Sequence, residues 1–434
     1  MPRKSLEPVR PNTALDHALE ALAKRDPARA LRYAIPALSD RETAASAMDF
    51  VARALLTIGE NSLAREALER AVPMLAQHAL APHAVAAAIT LSELSGDVAA
   101  LRALAGVFGA DAPSKSTTMI PSLKNEDVAA IPDTVNKAQL VERARLAIGQ
   151  IEATEMPVGG PKLALWSALP EESFVGLART MKVQILSENS AVVREGEAGK
   201  SLYVLARGEV RVARGEGDLR EELAVLGAGT IFGEMALVSD APRVASVFAA
   251  HAVMVLEASR ESIDQAASED GAVGEHVAEF FHRRLVDNAL RTSPLLSALP
   301  EAERNGLATL FETRRTERGM VLIREGEPTP ALFLLEAGTL SVHRTEAGET
   351  LRLAQLEPGT CVGEIGLVLR RPATASVVAE DSGVVLALAS ERFLEVVRER
   401  PTLLARLYEL AVHREDETRS VLAVPAEDIA ELLF

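Results

Sequence analysis

The chain holds a single cysteine, 3% aromatic residues and no long apolar run. One sulfur can build neither a disulfide framework nor a thiolate-rich metal site, so Cys361 reads as a buried cytosolic thiol. A membrane-spanning helix needs about 20 consecutive apolar residues. No segment approaches that, and the N-terminal MPRKSLEPVRPN has basic residues without an apolar h-region behind them. These absences predict a soluble, cytoplasmic protein. Cationic excess is missing as well: the formal net charge is −16. Binding to nucleic acid without sequence preference needs clustered cations that release counterions from phosphates, so that class is disfavoured. Residues 1–109 carry 12 basic and 12 acidic side chains, which puts the whole acidic excess in 110–434. No catalytic motif is present either. There is no Gly-x-Ser-x-Gly elbow, no Walker loop and no His-Glu-x-x-His, and the eight histidines are scattered. The reading is of a non-enzymatic protein without a metal.

What is present is repetition. At 434 residues the chain should divide into two to four domains. Residues 12–108 are rich in alanine and leucine at helical spacing, with apolar stripes at Leu15, Leu19 and Leu22, at Leu31, Ile35 and Leu38, and at Leu68, Val72 and Leu75. Thr13 suits an N-cap, and Gly59, Gly96 and Gly106 suit helix ends. ALRYAIPAL (30–38) echoes ALERAVPML (67–75) at a spacing of 37. Helix pairs at that spacing resemble tetratricopeptide-type arrays, which implies a surface for an unidentified protein partner. An alanine-rich bundle without a specific partner is the alternative.

Residues 110–162 read as a linker: 109–135 collect Pro, Ser, Thr, Asp and Gly without periodicity, and a short helix is expected over 136–151. Beyond it lie two copies of one domain, 163–292 and 293–420, and then a tail, 421–434. LWSALPE (165–171) matches LLSALPE (295–301), and REGE (194–197) matches REGE (324–327). Gly208 matches Gly338 and Gly229 matches Gly359, always 130 residues apart. Short strands at 192–193, 203–205, 210–212, 223–226 and 245–256 alternate with glycine turns. Helices are expected at 171–181, 260–267 and 273–290, with the closing helices of the second copy at 393–411. The architecture is an α+β multidomain chain, an all-α repeat-like region followed by two β-barrel or jelly-roll domains.

Within the first copy stands FGEMALVSDAPRVASV, residues 232–247. It resembles the phosphate-binding cassette of cyclic nucleotide-binding domains, as found in protein kinase A regulatory subunits and catabolite activator-type regulators. The resemblance covers about 163–420 and implies a cyclic nucleotide-binding fold in each copy. Gly233 would let backbone approach the ligand, and Glu234 would accept from the ribose 2′-hydroxyl. Met235 and Ala236 would open a short helix whose N–H groups face the cyclic phosphate. Arg243 would give its guanidinium to the exocyclic oxygens, with the Ala245 N–H beside it and Phe232 behind. Guanine-preferring relatives often carry a hydroxyl residue after that arginine. Val244 stands there, so the resemblance implies cAMP rather than cGMP. The resemblance also implies a lid from the C-terminal helix, with Phe280 or Phe281 stacking on the base; the alternative is that both are core residues of that helix.

The second cassette, VGEIGLVLRRPATASV (362–377), keeps Gly363 and Glu364, with Ile365 and Gly366 following. Ala373 occupies the arginine position, which predicts a degenerate copy used for packing or for relaying the state of the first. Arg370 and Arg371 are the nearest cations that would substitute. The glycines of Gly227-Ala-Gly229-Thr-Ile-Phe-Gly233 imitate a dinucleotide fingerprint, but no βαβ unit surrounds them. After Phe393 the remaining length and an acidic, apolar tail leave no helix-turn-helix, so DNA binding is disfavoured. The order of parts is similar to a kinase A regulatory subunit. Residues 109–162, however, contain only Arg143 and Arg145 among arginines and no Arg-Arg-x-Ser/Ala segment. The expectation is a cAMP receptor in signal transduction; the alternatives are a helical interaction scaffold that has lost nucleotide binding, or a regulator of a kinase.

Overall fold

The computed structural model describes residues 13–113, 129–161, 163, 165–215, 221–234, 242–292, 309–346, 348–399, 404–405, 407–409 and 411–413. Parts of the expected linker, the LLSALPE match, the cassette residues Met235 and Ala236, and the tail 421–434 lie outside them.

The N-terminal region is helical, and its helices pack each on the next: α1 Ala14–Ala23, α2 Pro27–Ala37, α3 Ala44–Ile58, α4 Asn61–Gln77, α5 Ala81–Ser95 and α6 Ala99–Phe108. Thr13 caps α1 by accepting from the Asp16 N–H at 2.9 Å, and the predicted stripes face inward, with Leu15, Leu19, Leu31, Leu68 and Leu75 almost fully buried. Both ends of α5 lie 37 residues after those of α3, so the echo seen in sequence is a repeated helix pair. Gly59 and Gly96 end their helices in the left-handed region. Gly106 does not end one: it sits inside α6, and Gly109 is the residue that closes that helix. Alanine and leucine on both sides of Gly106 are strong helix formers and carry the helix through it.

A further helix, α7 Lys137–Gln150, starts at Asn136 with a full capping box. The chain just before it is pinned to α2, because Arg32 donates to the carbonyls of Pro132, Asp133 and Val135 at 2.6, 3.1 and 2.9 Å.

The first copy begins with α8 Glu171–Thr180 and continues as β1 Lys182–Leu186, β2 Ala191–Val193, β3 Ser201–Arg207, β4 Glu209–Arg214, β5 Glu221–Gly227, β6 Ile231–Phe232, β7 Ser246–Ala249 and β8 Val253–Ser259. Helices α9 Arg260–Glu269 and α10 Gly271–Thr292 follow. The expected single strand over 245–256 is two strands. Ala250–Ala252 breaks it and passes the chain from one sheet to the other. Neither sheet closes into a barrel; the copy is jelly-roll-like, with four-stranded sheets β1-β8-β3-β6 and β2-β7-β4-β5. Their inner faces share one apolar cluster containing Val193, Leu205, Val210, Phe232, Val247 and Val255.

The second copy repeats this with β9 Glu312–Thr316, β10 Val321–Ile323, β11 Ala331–Ala337, β12 Leu340–Glu346, β13 Glu349–Leu356, β14 Cys361–Val362, β15 Ser376–Ala379 and β16 Gly383–Ala389. A short helix, α11 Glu364–Val368, follows β14, and α12 Ser390–Glu399 follows β16. Its sheets are β14-β11-β16-β9 and β10-β15-β12-β13. Cys361 is buried in the cluster between the first of these and the flanking helices.

Contacts divide the chain into two compact units. One holds Met1–Glu234 and Arg243–Val277, that is the helical region and most of the first copy, and the other holds Met235–Pro242 and Ala278–Phe434, with the second copy. Within the first unit, α1 and α5 pack against β1, β3 and β8, and α6 packs against α8. Among the described residues no helix is long and apolar enough to cross a membrane.

Candidate functional site

In the first copy the site forms where the β2–β3 turn meets the chain entering β7. The two segments are tied by backbone: the Gly196 N–H donates to the Arg243 carbonyl and the Arg243 N–H donates to the Glu197 carbonyl, each at 2.9 Å. This pair of hydrogen bonds fixes the residue in the arginine position against the REGE turn.

The Arg243 side chain is then held by main chain. Nη1 donates to the Gly233 carbonyl at 2.6 Å and Nη2 donates to the Ser201 carbonyl at 2.7 Å. A guanidinium has five N–H donors, so this anchoring leaves further donors for an anion. Burial lowers the pKa of Arg243, while Tyr203, Glu234, Glu197 and Glu257 raise it. Arginine titrates so far above neutrality that it stays cationic.

Two glycines make room for it. Gly233 lies in the left-handed region (φ +79°), and a Cβ there would stand 3.0 Å from Arg243 Nη1 and 3.1 Å from the Ser201 carbonyl oxygen. At Gly199 a Cβ would stand 2.0 Å from Arg243 Nε and 2.2 Å from Cζ, so the guanidinium occupies the place of a side chain at 199. Beneath this sits an aromatic floor. Phe232 stacks on Tyr203 with centroids 5.5 Å apart, and the Tyr203 hydroxyl lies 3.3 Å from Glu257 Oε1. Burial and then Glu257 push the Tyr203 pKa up, so the phenol stays protonated and donates. Gln184 donates to the other oxygen of Glu257.

The structure brings together Phe232, Gly233, Glu234 and Arg243. Val244 is exposed and its carbonyl accepts from Arg214 Nε at 3.3 Å; Ala245 leads directly into β7. Sequence reasoning missed Gly199, Ser201, Tyr203 and Glu257. Gly199 left a trace: it stands 130 residues before Thr329, a small residue facing a larger one across the repeat.

The second copy keeps the backbone frame and exchanges the side chains. Gly326 N–H donates to the Ala373 carbonyl and Ala373 N–H to the Glu327 carbonyl, again at 2.9 Å. Gly363 (φ +94°) opens α11, and Glu364 is buried. Ala373 is buried where the first copy has its arginine, and Thr329 fills the place of Gly199. Thr329 Oγ1 is buried without a hydrogen-bond partner, and a Cβ on Gly366 would lie 2.1 Å from it. Ile365 is half-buried. Arg370 is exposed, with its backbone in the left-handed region (φ +52°), and the Arg371 N–H closes a turn onto the Gly366 carbonyl at 3.1 Å. A pocket shaped for a guanidinium in one copy is closed by a threonine in the other.

Comparison with known proteins agrees with this frame. Residues 183–270 and 313–400 each match the family model described as cyclic nucleotide-binding domain. The chain therefore contains two cyclic nucleotide-binding domains, and it is similar to regulatory subunits of cAMP-dependent protein kinase. The subunit from Pyricularia oryzae is 30% identical over 232 residues, covering 51% of this chain and 57% of that one. The type II regulatory subunit of Drosophila melanogaster is 25% identical over 231 residues, covering 53% and 58%. The chain spans somewhat more than half the length of these curated relatives. Among solved structures, the regulatory domain of Toxoplasma gondii PKA co-crystallised with cAMP aligns at 22% identity and TM-score 0.30, covering 58% of this chain and 92% of that one.

Proposed function

We propose that this protein is a non-enzymatic cytoplasmic cAMP receptor whose first cyclic nucleotide-binding domain takes the ligand. The observation that carries the reading is the Arg243 guanidinium, held over Gly199 and Gly233 by two backbone carbonyls in a pocket only glycines allow. Arg243 binds the cyclic phosphate and Glu234 the ribose hydroxyl, with Met235 and Ala236 contributing backbone N–H groups. Val244 provides no hydroxyl to a guanine, which favours cAMP over cGMP. The second copy, with Thr329 and Ala373 in place of glycine and arginine, is a packing or relay module. The helical region presents a surface to a protein partner. The relatives bear the name of kinase regulatory subunits, so a kinase is the partner class to test first, reached without an Arg-Arg-x-Ser/Ala segment in residues 109–162.

Calorimetry with cAMP, cGMP and 5′-AMP on the full chain tests this. The expected order of affinity is cAMP, then cGMP, then 5′-AMP. Arg243→Ala should cost about 1.5–3 kcal/mol, roughly ten- to hundredfold in affinity. Absence of heat with any cyclic nucleotide would end the receptor reading.

A further inference from the structure

Arg207 ends β3, and Gly208 (φ +91°) turns the chain into β4. The Arg207 side chain is only 12% exposed and runs from the end of β3 into the helical region. Nη1 donates to Ser46 Oγ at 3.3 Å, Nη2 lies 3.8 Å from Asp16 Oδ1, and the guanidinium sits 5.4 Å above the Phe50 ring. Behind these lies a network centred on buried Ser46, Asp49 and His83. His83 Nε2 is 2.9 Å from Asp49 Oδ2, which also accepts from Arg53 Nε at 2.8 Å, and Ser46 Oγ is 3.5 Å from His83 Nδ1. Arg53 continues to the Ala86 carbonyl at 3.2 Å. Three helices, α1, α3 and α5, therefore converge on one cation from the nucleotide domain.

Three observations make this more than packing. First, the position 130 residues later is Ala337, so the arginine belongs to the first copy and is not part of the repeat. Second, the network is one bond short on each side: Arg207 Nε and Asp49 Oδ1 are both buried without a hydrogen-bond partner. They are a complementary donor and acceptor, so the strength of the contact depends on where β3 lies. Third, β3 is the strand that aims the ligand arginine. Its first residue, Ser201, accepts from Arg243; its Tyr203 stacks on Phe232; its last residue is Arg207.

We propose that the N-terminal helical region is a built-in docking partner of the first nucleotide-binding domain, locked through Arg207, and that this docking is coupled through β3 to nucleotide binding at Arg243. The coupling rests on the receptor reading above. Fixing one end of β3 in the helices holds the other end where Ser201 positions the guanidinium. Docking and nucleotide binding therefore favour each other, and by linkage the effect is reciprocal.

The test places substitutions on the helical side, away from the ligand. Asp16→Asn and Ser46→Ala, together with Arg207→Lys, are made in the full chain. The cAMP affinity of each is measured beside amide hydrogen exchange over residues 44–95 and 201–207. Wild type should show slower exchange in 44–95 when cAMP is added, by threefold or more. Asp16→Asn with Ser46→Ala should weaken cAMP binding at least threefold and shrink that response, and Arg207→Lys should do the same. A merely structural role would lower the melting temperature and leave affinity in the folded molecule unchanged, which would overturn the coupling, as would an affinity gain. If wild type binds no cAMP, the receptor reading fails and the coupling falls with it. If wild type binds and the variants match it, only the coupling fails.

Discussion

Gly199 is the position where one added group separates the two copies. Replacing it with threonine, the residue the second copy has there, inserts a Cβ 2.0 Å from Arg243 Nε and 2.5 Å from Nη2. Neither atom tolerates that approach, so the guanidinium must leave its two carbonyl partners. The backbone at 199 is not left-handed, and the displaced group is the end of a flexible, half-exposed side chain. The fold should therefore survive. Two guanidinium–carbonyl hydrogen bonds are exchanged for water contacts, so the stability change should stay near 1 kcal/mol, a melting shift of about 2–4 °C for a domain of this size. Affinity should suffer far more. The arginine is no longer aimed at the phosphate, and the loss should approach that of Arg243→Ala, about ten- to hundredfold. A double-mutant cycle read by calorimetry makes the argument strict: in the Arg243→Ala background, Gly199→Thr should change affinity by no more than about twofold, because the group it displaces is already gone. Wild-type affinity for Gly199→Thr, or losses that simply add, would refute the idea that Gly199 exists to seat Arg243.

The reverse exchange in the second copy, Thr329→Gly with Ala373→Arg, should restore a guanidinium pocket on an unchanged backbone and raise the number of cAMP molecules bound per chain from one to two, measured by titration. Thr13→Ala removes the cap of α1 and should cost about 1 kcal/mol, seen as a melting shift of about 2–4 °C. Acid should weaken the first unit. Burial depresses the pKa of His83 below its usual 6.5, with Arg207 and Arg53 adding to that and Asp49 opposing it. The unfolded chain therefore binds the proton first, so stability from His83 is complete above 6.5 and declines as pH falls below it. Asp49 is held below its usual 3.8: burial alone would raise it, but Arg53 and His83 outweigh burial. Its contribution is present above 3.8 and is lost only as pH falls through the lower folded value. Urea unfolding at pH 7.5 and 5.5 should show the first decline, and His83→Gln should flatten it.

The sequence carried those features that depend on neighbours along the chain. The 130-residue repeat, the cap at Thr13 and the stripes of Leu31 and Leu68 are all local patterns, and each appears where expected. What stayed hidden depends on approach between distant segments. Gly199 matters because Arg243, 44 residues on, fills the space beside it. Ser201 contributes a carbonyl, which no side-chain reading reveals. Arg207 leaves no local sign of its role because its partners, Asp16, Ser46 and Phe50, lie more than 150 positions earlier. The merged strand over 245–256 failed for a related reason: apolar Ala250 and Ala252 continue the hydrophobic pattern across a change of sheet.

Equilibrium dialysis of labelled cAMP against the full chain tests the central claim most directly. One mole bound per mole of chain at saturation, with Arg243→Ala needing roughly ten- to hundredfold more cAMP for half-occupancy, is the predicted result. No binding by wild type, or two equivalent sites that survive Arg243→Ala, would contradict it.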